Sequence, residues 1–371
     1  MSSENTGGDQ LVGLREAIDT IDQEIHALLN KRASIAQQVA DVKLAQARQE
    51  GSEDPIFYRP EREAQVLRKV MQRNDGPLAA KEVAHIFREI MSACLALEKP
   101  LEVAYLGPQG TFSEAAAIKH FGHSALTRPQ ANITEIFNAV ERNLCQYGIL
   151  PVENSTEGMV THTLDNFVDS PLKICGELEL PIELHVLAQD GVNRDAIRKI
   201  CAHQQALAQS RNWLTQHFPN VELEAVSSNG LAAELASQDQ QVACVAGDFD
   251  AERYGLMHVA TRIQDYANNR TRFLVVAREE VPASGNDKTA MVVSVRNEPG
   301  ALYRLLKPLE EAGVSLTGIE TRPSKTENWA YIFFIEFEGH HEAEHITHAI
   351  SAMRSMAFFV KVLGSYPAAV I

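Results

Sequence analysis

The sequence predicts a multidomain chain: an all-α N-terminal segment, an α/β middle segment and an α+β C-terminal segment. Three observations predict it. Apolar residues recur in steps of three and four through the first hundred residues. Short β-rich runs then alternate with amphipathic helices as far as residue 278. A Pro-Ala-Ser-Gly-Asn-Asp stretch at 282–287 precedes a last segment that reads strand, helix, strand, strand, helix, strand. The expected domains are residues 1–99, 100–281 and 286–371, and Lys99-Pro100 marks the first boundary.

The first helix is expected over 11–43, on the seam Leu11, Leu14, Ile18, Ile21, Ile25, Leu28, Ile35, Val39 and Val42, with Asp9 as N-cap. Such a helix is about 50 Å long, too long to be covered by its own small domain, so a partner helix is expected. A loop follows over 49–60, then helices over 61–73 and 78–97, separated by Asn74-Asp75-Gly76-Pro77. In the middle segment, strands are expected over 101–106, 148–152, 184–188, 242–246 and 273–277. Helices over 113–121, 134–144, 207–217 and 230–236 alternate with them, which argues largely parallel sheets. The last segment has strands over 289–295, 314–321, 330–337 and 360–364, and helices over 301–312 and 343–353. That order is the ferredoxin-like arrangement.

A length of 371 residues suits two or three domains. The chain has 34 Lys and Arg against 49 Asp and Glu, a net charge of −15. This argues against a nucleic-acid or anionic-membrane partner, but a local Arg cluster can still hold a small anion. Five scattered cysteines without a CxxC pair read as reduced thiols and predict a cytoplasmic location. No signal peptide and no membrane-spanning run is read in the sequence.

Charges interrupt the apolar seam of the first helix. Its own spacing puts Arg32 on the seam, with Lys43 and Arg15 beside it. A cation facing a core is costly unless paired, so Arg32 requires an anion, a route to water, or a ligand. Arg62-Glu63 and Glu98 bring charge to the other two helices. The runs LREAIDTID, LLNKRASIAQQVADVK, PEREAQVL and IFREIMSACLALE resemble the all-helical chorismate mutase over about residues 8–98. The resemblance implies a homodimer of long three-helix protomers, with Arg15 donated to the partner's site. Arg32, Lys43 and Arg62 would bind the two carboxylates and ether oxygen of chorismate. Glu63 would hold the ring hydroxyl, and Glu98 would make the second contact to the ether oxygen. Many relatives have Gln at that last place. Glu98 must carry a proton to donate there, which predicts a more acidic pH optimum. Arg59 stands where many relatives have Asp. A Claisen rearrangement needs a substrate held in its reactive shape and charge against the breaking ether bond, which rigid cations supply.

In the middle segment Gly107-Pro108-Gln109-Gly110-Thr111-Phe112-Ser113-Glu114 lies between a strand and a helix, followed by Pro151-Val152-Glu153-Asn154-Ser155, Gln209 and Asn269-Arg270-Thr271-Arg272-Phe273. Singly, each reads as a loop or a cap. No GxGxxG fingerprint occurs, which counts against a dinucleotide-dependent enzyme. Together they resemble prephenate dehydratase. The resemblance implies two α/β lobes with a cleft between them, similar to a periplasmic binding protein. Thr271 would be the catalytic hydroxyl, protonating the departing ring hydroxyl. Glu153, Asn154, Ser155, Gln209, Thr111 and Ser113 would bind prephenate, Arg272 would orient it, and Phe273 would pack the loop. Some relatives have Ser where this chain has Ala202.

Asn297-Glu298-Pro299-Gly300-Ala301-Leu302 sits where a strand meets a helix, and Glu320-Thr321-Arg322-Pro323 follows. Both resemble motifs of the ACT domain. That implies L-phenylalanine bound between paired domains at Asn297, Gly300, Ala301, Leu302, Glu320, Thr321, Arg322 and Pro323, with feedback inhibition. His341-Glu342-Ala343-Glu344-His345 satisfies HExxH but reads as a solvated face, not a zinc site. The three resemblances imply a bifunctional chain acting on chorismate and prephenate in phenylalanine biosynthesis, assembled as a homodimer or tetramer, with no cofactor or metal. A non-catalytic amino-acid sensor is one rival reading, and a mutase fused to a dehydrogenase, disfavoured by the missing GxGxxG fingerprint, is the second. Arg32, Lys43, Arg62 and Glu98 discriminate against the first, because a sensor has no use for them. Removal of residues 285–371 is expected to spare the chemistry and weaken inhibition.

Overall fold

A computed structural model describes residues 6–51, 55–323 and 331–371. The first helix, α1 (Thr6–Glu50), starts before the expected cap and runs 45 residues. α2 (Pro60–Gln72) opens on Pro60 with Glu61 and Glu63 in its first turn, where a free N–H is not needed and negative charge is favoured. α3 (Ala80–Glu98) packs on both. Little of α1 is covered. Leu11, Leu14, Ile18, Ile21, Ile25 and Leu28 are 48–64% exposed. The same seam that forms the helix is left without a partner in the single chain, so Arg32 and Arg15 are solvent-exposed rather than buried. Residues 52–54 of the expected loop lie outside the described residues.

The middle segment crosses between two lobes. The first contains β1 (Glu102–Leu106), α4 (Phe112–Phe121), β2 (Leu126–Gln130), α5 (Ile133–Glu141), β3 (Tyr147–Asn154), β4 (Gly158–Met159), α6 (Thr161–Asp169) and β5 (Lys173–Pro181). The second contains β6 (His185–Ala188), β7 (Lys199–His203), α7 (Gln204–Gln209), α8 (Arg211–His217), β8 (Glu222–Val226), α9 (Asn229–Gln238), β9 (Val242–Ala246), α10 (Asp248–Tyr254) and β10 (Met257–Ala260). The chain then returns to the first lobe as β11 (Arg270–Ala277), in the order β2-β1-β3-β11-β5. The second sheet runs β10-β6-β9-β7-β8. Both sheets are mixed rather than largely parallel. β11 is antiparallel to β3 and β5, and β6 is antiparallel to β9 and β10. In the first sheet the return strand is the reason: it runs against β3 and β5.

The last segment has β12 (Asp287–Val295), α11 (Ala301–Glu311), β13 (Leu316–Pro323), β14 (Tyr331–Glu338), α12 (Glu344–Met356) and β15 (Phe359–Pro367). Its sheet is antiparallel, ordered β13-β14-β12-β15, with both helices on one face. Residue 330, included in the expected strand, lies outside the described residues. The other face of this sheet is not free. Ala290, Val292, Phe334, Leu363 and Tyr366 share one core with Ile174, Leu274 and Val276 of the first lobe. The helical segment also docks on that lobe. The Tyr58 ring meets Phe121 and Tyr147 at 5.3 and 5.2 Å, and its hydroxyl lies 3.2 Å from His120 Nε2. Burial pushes the His120 imidazole down to about 3, so it stays neutral there.

Candidate functional site

In the helical segment, Arg32, Lys43 and Glu98 converge. Arg32 Nη1 donates to the Ile90 carbonyl of α3 at 3.5 Å, and the Lys43 ammonium lies 5.6 Å from the Phe57 ring centroid. Glu98 is half-buried. Burial raises its carboxyl above the usual range, and the positive charges of Lys43 and Arg32 only partly oppose this. Among the described residues, Arg15, Arg32, Lys43 and Arg62 form no ion pair with an acidic side chain. Arg15 lies 17 positions before Arg32 on the same helix, about 25 Å along its axis, so it cannot reach this group within its own chain.

Glu63 does not join them. Its carboxylate accepts from Arg88 Nε at 3.2 Å; burial raises its pKa, and the neighbouring Arg88 and Tyr58 only partly oppose this. Arg88 in turn donates to the Lys119 carbonyl of the first lobe at 3.1 Å. In this chain Glu63 therefore belongs to the contact between segments. Arg59 precedes α2 and makes no side-chain cap; its carbonyl accepts from the N–H groups of Arg62 and Glu63.

In the middle segment the structure builds a cluster around Thr271. Asn154 ends β3, and its Nδ2 donates to Thr271 Oγ1 at 2.9 Å and to Asn269 Oδ1 at 3.1 Å. Asn154 Oδ1 accepts from the N–H groups of Thr156 and Glu157, which locks the amide's orientation. Ser155 Oγ accepts from the Arg270 N–H at 2.9 Å. Because the Thr271 oxygen already accepts from Asn154, its own proton is free to point elsewhere. Donation to that oxygen also stabilises the alkoxide left when the proton departs. Asn154, Asn269 and Thr271 are all buried. Asn269 and Thr156 had no role in the sequence reading; the Asn268-Asn269 pair before Thr271 was the available signal.

Residues adjacent in sequence part company here. Successive strand side chains point to opposite faces. Thr271 and Asn154 share one face, while Arg272 and Glu153, paired across β11 and β3, lie on the other. The donors of Arg272 go to Glu177 and Glu336, not to the Thr271 cluster. Phe273 is 1% exposed and packs in the core with Tyr105 and Leu178. Gln209 closes α7 in the second lobe, half-buried; Ala202 is buried in that lobe's core.

Thr111 caps α4, accepting from the Glu114 N–H at 3.4 Å and donating to the Leu106 carbonyl at 3.0 Å. Ser113 is buried in the same first turn. This turn is pressed against the second lobe. A Cβ on Gly110 would lie 2.4 Å from Gly230 Cα. Glu114, almost fully buried, accepts from both Arg253 Nη atoms at 2.9 and 2.8 Å, joining the lobes. Asp250 lies beside them with Oδ1 unpartnered, and burial pushes its carboxyl up to about 7.

In the last segment a cavity of about 310 Å³ is lined by Asn297, Gly300, Ala301, Leu302, Thr321 and Phe333, among others. Glu320 and Arg322 alternate to the opposite face. Glu320 lines a separate cavity of about 240 Å³ against the first lobe, and Arg322 pairs with Asp165 of α6 at 3.2 Å. Pro323 ends β13 opposite Tyr331.

No zinc geometry forms at HExxH. α12 begins only at Glu344, so His341 precedes the helix, and its Nδ1 meets Ser365 Oγ at 2.7 Å. His185, Asp248 and His258 do cluster. However, His185 Nδ1 accepts from the Arg262 N–H at 3.2 Å, which leaves the proton on Nε2 and no lone pair facing a cation.

Comparison with known proteins completes the picture. The family pattern of chorismate mutase type II matches residues 14–99, prephenate dehydratase matches 103–281, and the ACT domain matches 289–354. The chain is 51% identical over 363 residues to the bifunctional chorismate mutase/prephenate dehydratase of Stutzerimonas stutzeri, covering 98% of this chain and 99% of that one. The corresponding protein of Pseudomonas aeruginosa is 50% identical over 363 residues, with the same coverage. Among solved structures, the prephenate dehydratase of Arthrobacter aurescens in complex with L-Phe superposes with a TM-score of 0.64 at 32% identity, covering 72% of this chain and 90% of that one. With three families matched in order along nearly its whole length, the chain belongs to the bifunctional chorismate mutase/prephenate dehydratase family and carries both activities.

Proposed function

We propose that the two reactions occupy separate sites, with residues 1–99 for the mutase, 100–281 for the dehydratase and 286–371 for regulation. In the first, Arg32, Lys43 and Arg62 hold the carboxylates and ether oxygen of chorismate, and protonated Glu98 donates to that oxygen as the C–O bond breaks. The exposed seam of α1 supports assembly with a second copy, whose Arg15 completes the site and whose α1 covers the seam. Charge placed against the ether oxygen and a compact bound shape are what the rearrangement requires.

In the second, Thr271 gives its proton to the departing ring hydroxyl, which leaves as water. The electrons of the bond to the ring carboxylate move into the ring, carbon dioxide departs, and phenylpyruvate forms. The hydrogen bond from Asn154 to Thr271 Oγ1 carries this reading, since it frees the hydroxyl proton and stabilises the oxygen left behind. L-phenylalanine, bound in the cavity beside Gly300 and Phe333, is the feedback inhibitor.

Arg32→Ala is expected to abolish mutase activity and spare the dehydratase, and Thr271→Ala to do the reverse. Chorismate loss and phenylpyruvate gain, assayed separately from chorismate and from prephenate, decide it. A folded single variant that loses both would overturn the separation.

A further inference from the structure

Arg272 follows Thr271 on β11 and points the other way, into the contact with the C-terminal sheet. There it links two carboxylates from different domains. Nε and Nη2 donate to Glu177 Oε2 at 3.2 and 2.8 Å, and Nη1 and Nη2 donate to Glu336 at 2.7 and 2.8 Å. Glu177 belongs to β5, and Glu336 to β14 of the regulatory sheet. Lys288 of β12 adds a 2.6 Å pair to Glu177, and the Tyr366 hydroxyl donates to Glu336 at 3.2 Å. Two cations thus balance two anions in a largely buried set, and withdrawing any one leaves an uncompensated charge. Burial disfavours the Glu177 anion, but Arg272 and Lys288 outweigh it and hold the carboxyl low.

We propose that Arg272 is a positioning residue for Thr271, and that its pair with Glu336 is the link by which the effector cavity acts on the dehydratase site. The proposal rests on the roles given above to Thr271 and to phenylalanine. Three observations carry it. Glu336 lies three residues along β14 from Phe333, about 10 Å, and Phe333 lines the effector cavity opposite Thr321. A ligand that shifts β13 against β14 therefore moves Glu336. The β11–β3 ladder slips register between Arg272 and Phe273, with Val152 the extra residue on β3, so the pairing that joins Thr271 to Asn154 can shift along β3 without disturbing the Phe273 pairing in the core. The cavity of about 240 Å³ beside Arg272, Glu336 and Gly318 gives the guanidinium room to change partners. Moving Arg272 turns the strand that aims Thr271 at Asn154.

The test uses the full chain with Glu336→Gln, which keeps shape and removes charge, and with Lys288→Met. Phenylalanine binding is read by calorimetry, and dehydratase kcat and KM are read with and without phenylalanine. Hydrogen exchange of the β11 amides is followed as phenylalanine is added. Expected results are uninhibited kcat and phenylalanine affinity within about threefold of wild type, most of the dehydratase activity retained at saturating phenylalanine where wild type loses it, and loss of the effector-dependent exchange change on β11. If Glu336→Gln fails to fold, Lys288→Met decides. Wild type and variants inhibited alike would overturn the coupling alone. A wild-type chain that neither binds phenylalanine nor is inhibited by it would overturn the effector reading and this link together.

Discussion

Asp250 offers the most direct check on the interlobe contact. It is 4% exposed, its Oδ1 has no partner, and that oxygen lies 2.7 Å from where a Cβ on Gly110 would sit. Burial is the main cause of its raised pKa; Glu114 adds to it, while Gly247 and Arg253 oppose it. The carboxyl rises from 3.8 to about 7. Between those values the folded chain holds a proton that the unfolded chain has released, so stability falls as pH rises from about 4 to about 7 and is then flat. A gap of about 3 units corresponds to about 4 kcal/mol, of which about 2.5 kcal/mol accrues between pH 5 and pH 8. Asn cannot ionise. Asp250→Asn should therefore gain stability over wild type at pH 8, and the gain should be about 2.5 kcal/mol larger there than at pH 5. Urea titrations at both pH values would measure it, with Trp329 replaced by Phe so that Trp213, in the same lobe, is the reporter. A difference between the two proteins that is the same at pH 5 and pH 8 would refute the argument.

Two further expectations follow from single residues. Burial raises the Glu98 carboxyl above the usual range, so mutase activity should fall as pH rises through its pKa, while Glu98→Gln should flatten the profile. Chorismate loss assayed from pH 5 to pH 9 checks this, and identical profiles would remove Glu98 from the proton-donating role. Gly110→Ala should cost about 2 kcal/mol or more, because Gly110 has φ of +75° and the new Cβ would meet Gly230 backbone at 2.4 Å. Dehydratase activity should fall with it and mutase activity should not, as read by urea denaturation and the two assays.

The regulatory segment is bound to the catalytic one more closely than its own βαββαβ order suggests. Leu274 and Val276 share a core with Val292, Phe334 and Tyr366. Removing residues 285–371 would expose that face of the sheet carrying Thr271, so the truncation is expected to destabilise the dehydratase rather than simply free it from inhibition. A falling thermal midpoint of dehydratase activity in the truncated chain is the measurement.

Much was legible in the sequence because it is written in local periodicity and short motifs. The three-and-four spacing from Leu11 to Val42 specifies a helix wherever it packs, and within the single chain its apolar seam stays uncovered. PVENS and TRF mark the strands that meet at Asn154 and Thr271, since both ends carry side chains able to bond each other. What the sequence could not show is which neighbours point the same way. Glu63, Glu153 and Arg272 sit inside functional motifs, yet tertiary packing turns Glu63 to Arg88, Arg272 to Glu336, and Glu153 to the face away from Thr271. The reason is geometric. A strand's faces alternate residue by residue, and only the approach of other elements decides which face meets a substrate cleft and which a neighbouring domain. The Asp250 carboxyl and the Gly110–Gly230 contact belong to the same class, made by residues more than a hundred positions apart that nothing local connects.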